Sequence, residues 1–103
     1  MITGAACSGS SCIVVEVTIH DHSEYEKYKK LTPAAIAAFN GKFLVRGGET
    51  ISLEGDWKPE RIVVLEFPSV EKANEWWLSE LYTEAKLIRQ RAAYTKMILV
   101  QGA

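Results

Sequence analysis

No charge of one sign dominates this chain. Twelve Lys and Arg stand against thirteen Asp and Glu, a net charge of −1. Such a balance gives no electrostatic reason to expect nucleic acid or an anionic lipid surface as a partner. No apolar run approaches the about 18 residues that a membrane-spanning helix needs. Cysteine is scarce, with only Cys7 and Cys12. Their spacing fits neither a C-x-x-C redox pair nor a zinc knuckle, and no second ligand pair follows. They read as a reduced, incidental pair, with a disulfide closing a small loop as the alternative. A G-x-S-x-G elbow is missing, and both cysteines lie in or beside the N-terminal arm, so a nucleophilic triad is not supported. Phosphate loops and dinucleotide fingerprints are missing too, and Gly47-Gly48 is too short for either. The expectations are no metal, no cofactor, no membrane, no nucleic acid and residence in the cytoplasm.

What is present suits one globular domain. The chain has 103 residues, 48% of them hydrophobic and 24% charged. A domain of this size buries roughly two thirds of the surface its unfolded chain exposes. Residues 1–11 differ from the rest. They are small and polar, lack periodicity, and have neither the basic start nor the apolar stretch of a secretory signal. They read as a flexible arm, and residues 12–103 as the domain.

Residues 12–19 (CIVVEVTI) read as a strand buried on both faces. Asp21 with Glu24, or Ser23 with Glu26, can form a capping box that starts a helix. Tyr25, Tyr28, Leu31, Ala35, Ile36 and Phe39 recur at helical spacing. Pro33 should kink or split that helix near Thr32. Gly41 is expected as its left-handed cap. Residues 42–46 (KFLVR) form a second strand, and Gly47-Gly48 interrupts it as a bulge or bend. Residues 50–54 continue as an extended segment, and 61–67 (RIVVLEF) form the third strand. Ser69 caps a helix with Val70, Ala73, Trp76 and Trp77 on its stripe, and Ser79 caps another with Leu81, Ala85, Ile88 and Ala92. Residues 95–100 form the last strand.

The order β-α-β-β-α-β, with the second helical region in two pieces, is the ferredoxin-like pattern. The fold class is α+β: an antiparallel sheet with helices on one face. Strands apolar on both faces would leave the other face as a large apolar patch. A two-fold homodimer pairing sheet against sheet is the economical cover.

Several strings then carry a resemblance: Tyr25-x-x-Tyr28, Pro33-Ala34-Ala35, the run from Gly41 to Gly48 (GKFLVRGG), the run from Leu53 to Arg61 (LEGDWKPER), and Glu66-Phe67-Pro68-Ser69. From about Cys12 to Val100 the chain resembles the family called domain of unknown function 1330, within the dimeric α/β-barrel superfamily. The resemblance implies ferredoxin-like protomers that dimerise through their sheets. It implies no agreed activity, because the wider superfamily holds cofactor-independent monooxygenases, haem-degrading enzymes, lactone isomerases and binding modules. His22 departs from the pattern, since such sequences often have proline there.

Three constellations could carry chemistry. Arg46, Glu54, Arg61 and Glu66, with Tyr82 and Arg89, could hold a small anion, because guanidinium binds carboxylate or phosphate bidentately. The same residues could instead be ion pairs that fix a bend or a dimer contact. Trp76 and Trp77 point about 100° apart on a helix, so one can pack the core while the other walls a planar ligand. Trp57, in a turn, reads as a lid or interface anchor. His20-Asp21-His22 is a solvated helix start, or contains a general base in His20. The catalytic candidates are thus His20, Glu66 and Tyr82. The ligand-binding candidates are Arg46, Arg61, Glu54, Trp76, Trp77 and Arg89. Three functions stay open: a homodimeric module binding a small anionic or planar molecule, a cofactor-independent enzyme of monooxygenase or isomerase type, and a structural protein without a ligand. Haem chemistry fits less well, for the tryptophan-bearing helix has no histidine to serve as an axial ligand.

Overall fold

The computed structural model describes residues 10–103. The first nine residues of the expected arm lie outside that range, and so does Cys7. Ser11 is already in the sheet and fully buried, its hydroxyl donating to Ser69 O at 2.9 Å. Cys12 is disulfide-bonded, not the reduced thiol that its spacing suggested.

Seven elements follow in order: β1 (Ser11–Ile19), α1 (His22–Ala38), β2 (Lys42–Arg46), β3 (Arg61–Phe67), α2 (Val70–Leu78), α3 (Glu80–Ala92) and β4 (Ala93–Gln101). The strands make one antiparallel sheet in the order β2-β3-β1-β4. This is the expected α+β architecture, with two differences. Residues 50–54 join no strand, and 47–60 form one long exposed connection. The last strand begins two residues early, at Ala93, directly from the helix that precedes it.

Side-chain alternation assigns the two faces. Ile13, Val15, Val17, Val63, Leu65 and Phe67 point toward the helices and form the core with Tyr25, Ile36, Trp76, Tyr82 and Ala85. The opposite face carries an apolar row. Val14 lies between Val64 and Ile98, and Val45 follows beside Val64. Mixed rows flank it, with Ile62, Glu16 and Lys96 on one side and Glu66, Cys12 and Val100 on the other. Ile98, in the middle row, is 60% exposed. That face is therefore apolar along its middle rather than throughout.

The caps follow local chemistry. Asp21 accepts from Glu24 N at 3.1 Å, Ser69 from Lys72 N at 3.1 Å and Ser79 from Tyr82 N at 3.2 Å. Each satisfies one donor that the first helical turn leaves open. Two expectations about α1 need correction. Pro33 does not split it, and the helix runs unbroken to Ala38. The left-handed residue after it is Asn40, at φ 62°, not Gly41. Gly41 N donates to Ile36 O and Asn40 N to Ala37 O, the two bonds of a Schellman cap. Glycine is needed at 41 for space: a Cβ there would lie 2.5 Å from Phe67 Cε1 and 2.8 Å from Ile36 Cγ2.

Candidate functional site

A cleft opens between the helix layer and the sheet, below the N-terminal half of α1. Tyr25, Tyr28 and Thr32 descend from that helix, one turn apart. Val15, Val17, Val63, Leu65 and Met97 form the floor, Trp76 and Arg89 one wall, and Phe43, Arg46 and Arg61 the other. Lys29 completes the rim. Cations thus come from four positions, and no carboxylate lies among the lining residues. The remaining space is about 20 Å³, room for about one water molecule.

Polar groups inside this cleft are incompletely partnered. Thr32 is 3% exposed and Trp76 fully buried. Among the described residues, Trp76 Nε1 and Arg61 Nε are buried N–H donors without a hydrogen-bond partner, while Thr32 Oγ1 makes no well-formed bond but has the Tyr28 hydroxyl beside it. The indole and guanidinium N–H groups can only donate. An unpaired buried donor costs about 1–3 kcal/mol, so finding two such atoms around one space requires a physical reason.

Arg89 is 3% exposed. Its Nε donates to Tyr82 Oη at 3.2 Å, and its Nη1 donates to Thr95 Oγ1. Both partners are neutral. Hydrogen bonds from a charged donor are worth about 1.5–3 kcal/mol each, against a desolvation cost of several kcal/mol for a buried ion. The charge is therefore solvated by the protein but not neutralised. Tyr82 Oη lies 2.9 Å from Tyr28 Oη. Since Tyr82 already accepts from Arg89, its proton is best placed on Tyr28, which leaves the Tyr28 O–H to donate onward. Burial holds the Tyr28 phenol well above its usual pKa, with Tyr82 beside it adding to the shift. Tyr25 is raised in the same way, first by burial, while the nearby Arg61 opposes the shift. Both phenols stay protonated donors at neutral pH.

Two contacts shape the cleft's outer wall. Arg61 Cζ sits 5.6 Å from the Tyr25 ring centroid, and its guanidinium packs against Gly47, where any Cβ would overlap Nη1. Arg61 thus approaches the backbone at Gly47, whereas Gly48 has open space around it. Arg46 Cζ lies 4.3 Å from the Phe43 ring centroid, and its Nη2 donates to Lys29 O at 2.9 Å.

The other candidates are dispersed. Glu54 lies exposed in the 47–60 connection. Glu66 is on the opposite sheet face, 3.3 Å from Lys42 Nζ and accepting from Ser10. His20 is exposed and stacks near Tyr94, with centroids 5.0 Å apart. Tyr82 stands behind the cleft as the partner of Tyr28. The two tryptophans diverge as their spacing requires. Trp76 enters the core 4.1 Å from the Tyr82 ring centroid, while Trp77 borders a separate groove with Ile13, Met97 and Leu99. Sequence reasoning missed Tyr28, Thr32 and Lys29 as lining residues. The signal was a polar residue, Thr32, one turn after Tyr28 on the buried stripe. The stripe was drawn through Leu31, which is 40% exposed.

No curated protein sequence matches this chain. Solved structures do. A protein of unknown function from Rhodopseudomonas palustris, RPA0582, aligns at a TM-score of 0.75 and 21% identity, over 93% of this chain and 84% of that one. SnoaB from Streptomyces nogalater, a cofactor-independent oxygenase, aligns at 0.63 and 13%, over 93% and 95%. A conserved protein from Methanosarcina mazei aligns at 0.56 and 15%, over 94% and 97%. At such identities the likeness is one of fold, the dimeric α/β-barrel-like fold, and is silent on chemistry. The sequence model that matches residues 10–103 is narrower, and by it the chain belongs to the family described as domain of unknown function (DUF1330).

Proposed function

We propose that this domain is a homodimeric module that binds a small anionic molecule through the cleft between α1 and the sheet. The observation that carries the reading is a cleft lined by four cationic residues and no carboxylate, with two of its residues, Trp76 and Arg61, each holding a buried N–H donor that has no partner. A ligand that only accepts hydrogen bonds and bears negative charge satisfies all of them. At about 4 Å and an effective dielectric of about 20, one carboxylate–guanidinium pair contributes about 4 kcal/mol before desolvation. The closed cleft is too small for a whole organic acid. The ligand's head group therefore sits at the mouth against Arg46, with one oxygen directed into the cleft, and its body lies outside.

The dimer reading rests on the uncovered sheet face. Beside the row Val45, Val64, Val14 and Ile98, Ile62 of β3 borders a hollow with Ile51, Leu53, Trp57 and Pro59 of the 47–60 connection. Leu53 is 94% exposed and Ile51 77%. Monomeric proteins rarely leave so continuous an apolar strip in water, and a second copy covers both.

A second reading, a cofactor-independent enzyme, draws on the Arg89–Tyr82–Tyr28 chain, whose outward O–H can hydrogen-bond a substrate oxygen while Arg46 and Arg61 stabilise an enolate. SnoaB, a fold neighbour, is such an oxygenase. Native mass spectrometry of gently purified protein tests the first reading. A dimer that releases a small acid on denaturation supports it. A clean monomer would sink the argument from the sheet face. A dimer that carries nothing and takes up no added carboxylate would leave the structural reading standing.

A further inference from the structure

Proline inside a helix removes the N–H that would bond the carbonyl four residues back. Pro33 lies within α1, so the carbonyl it deprives is that of Lys29. Arg46, on a different element, takes the vacated place, with Nη2 donating to Lys29 O at 2.9 Å. The stacking of the same guanidinium on Phe43 fixes its plane. Two anchors thus hold an otherwise exposed and flexible side chain at the rim of the cleft, where Lys29 and Arg46 both line the space. A guanidinium carries five N–H donors in a planar fork. The carbonyl uses one, and an edge remains for a ligand.

We infer that Pro33 is a positioning residue for anion recognition. By freeing the Lys29 carbonyl it pins Arg46 at the cleft mouth, with the unused guanidinium edge ready for the carboxylate head group of the ligand. The inference rests on the ligand reading of the cleft and sharpens it. The anion is taken as a carboxylate, whose two coplanar oxygens match one free guanidinium edge, and a phosphate that binds equally well would widen the class. Pre-ordering the side chain removes the rotamer entropy that binding would otherwise cost.

The test titrates the full chain with acetate and benzoate, and with acetamide and benzamide as neutral counterparts, following NMR shifts. The proteins are the natural chain, Pro33→Ala, Arg46→Ala and the double variant. Alanine at 33 restores the missing N–H, and the helix reclaims the carbonyl. The natural chain should bind the acids about tenfold or more tightly than the amides, the ratio that 1.4 kcal/mol of differential affinity gives. Arg46→Ala should lose that margin. Pro33→Ala should bind the acids several-fold more weakly while melting at a higher temperature, because alanine is the far better helix former. Its Arg46 side-chain N–H signal should move toward that of a free arginine, and the double variant should bind no more weakly than Arg46→Ala. A Pro33→Ala protein with unchanged affinity overturns the positioning role while leaving the ligand reading intact. A natural chain that binds neither acid removes the ligand reading, and the inference falls with it.

Discussion

Gly47 and Gly48 are adjacent, exposed and chemically identical, yet alanine should act oppositely at the two. Gly47 sits at φ 76°, and a Cβ there would overlap the Arg61 guanidinium. The left-handed conformation costs a residue with a Cβ about 1–2 kcal/mol. Moving the tip of Arg61 adds little steric cost, because that side chain is flexible, but it takes the charge away from the cleft. Gly48 has no atom within 4 Å of an added Cβ and no positive φ. There alanine only reduces the freedom of the unfolded chain, a gain of about 0.4–1 kcal/mol. For a domain near 100 residues, 1 kcal/mol moves Tm by about 4–8 °C. Gly47→Ala should therefore melt about 4–15 °C below the natural chain and Gly48→Ala a few degrees above it, with the urea m-value unchanged in both. Acetate titration supplies the functional half, since affinity should fall in Gly47→Ala and hold in Gly48→Ala. Equal melting temperatures for the two variants would refute the strain argument. A destabilised Gly47→Ala that binds acetate normally would show that the position of Arg61 does not matter to the anion.

Three further outcomes can be checked. Gly41→Ala forces a methyl group against Phe67 and Ile36, both essentially buried, and should cost about 1–3 kcal/mol by chemical denaturation; Phe67→Leu in the same chain should recover part of that loss, and a neutral single variant would contradict the packing. Trp76→Ala empties a fully buried site flanked by Phe67 and Tyr82 and should lose about 3–5 kcal/mol, whereas Trp77→Ala, at a partly buried site on the edge of the core, should lose visibly less. Tyr25 and Tyr28 keep their protons above the ordinary phenol value of 10.0 in the folded chain, while the unfolded chain releases them near that value. The stability they contribute is complete below about pH 10 and declines as pH rises further, so alkaline melting curves should fall less steeply for Tyr28→Phe than for the natural chain.

Much of the fold was legible because local chemistry agreed with global placement. Asp21, Ser69 and Ser79 announce helix starts by the reach of a short side-chain oxygen, and each caps one. The apolar strands and the order of elements give the sheet and its topology. The errors came where tertiary packing overrides a local signal. Pro33 reads as a helix breaker, but Arg46 satisfies the Lys29 carbonyl it orphans, and that partner lies 17 positions from Lys29 in sequence. Gly41 reads as a left-handed cap, yet its reason is Phe67, a residue of another strand. The face of α3 was drawn through Leu81, which is exposed, because Tyr82 and Arg89 look like surface residues until each is seen to be the other's partner. The arginines could be named from the sequence, but which of them share one space depends on sheet order. Alternation along β3 puts Glu66 on the far face, and chain connection leaves Glu54 outside.

The register of β1 has a consequence for how the chain is made. β1 pairs with β3 over Ser11–Val17 and with β4 over its entire length, Ser11–Ile19. The earliest strand of the domain is thus a central one, and one of its two neighbours is the latest element to be synthesised. Until residues 93–101 leave the ribosome, one edge of β1 stays open, and Val14, Val15 and Val17 stand in a strand with unpaired backbone groups, the kind of edge that recruits other chains. Folding of this domain is accordingly completed after translation of its last strand, and nascent chains halted before residue 93 are the form most exposed to aggregation.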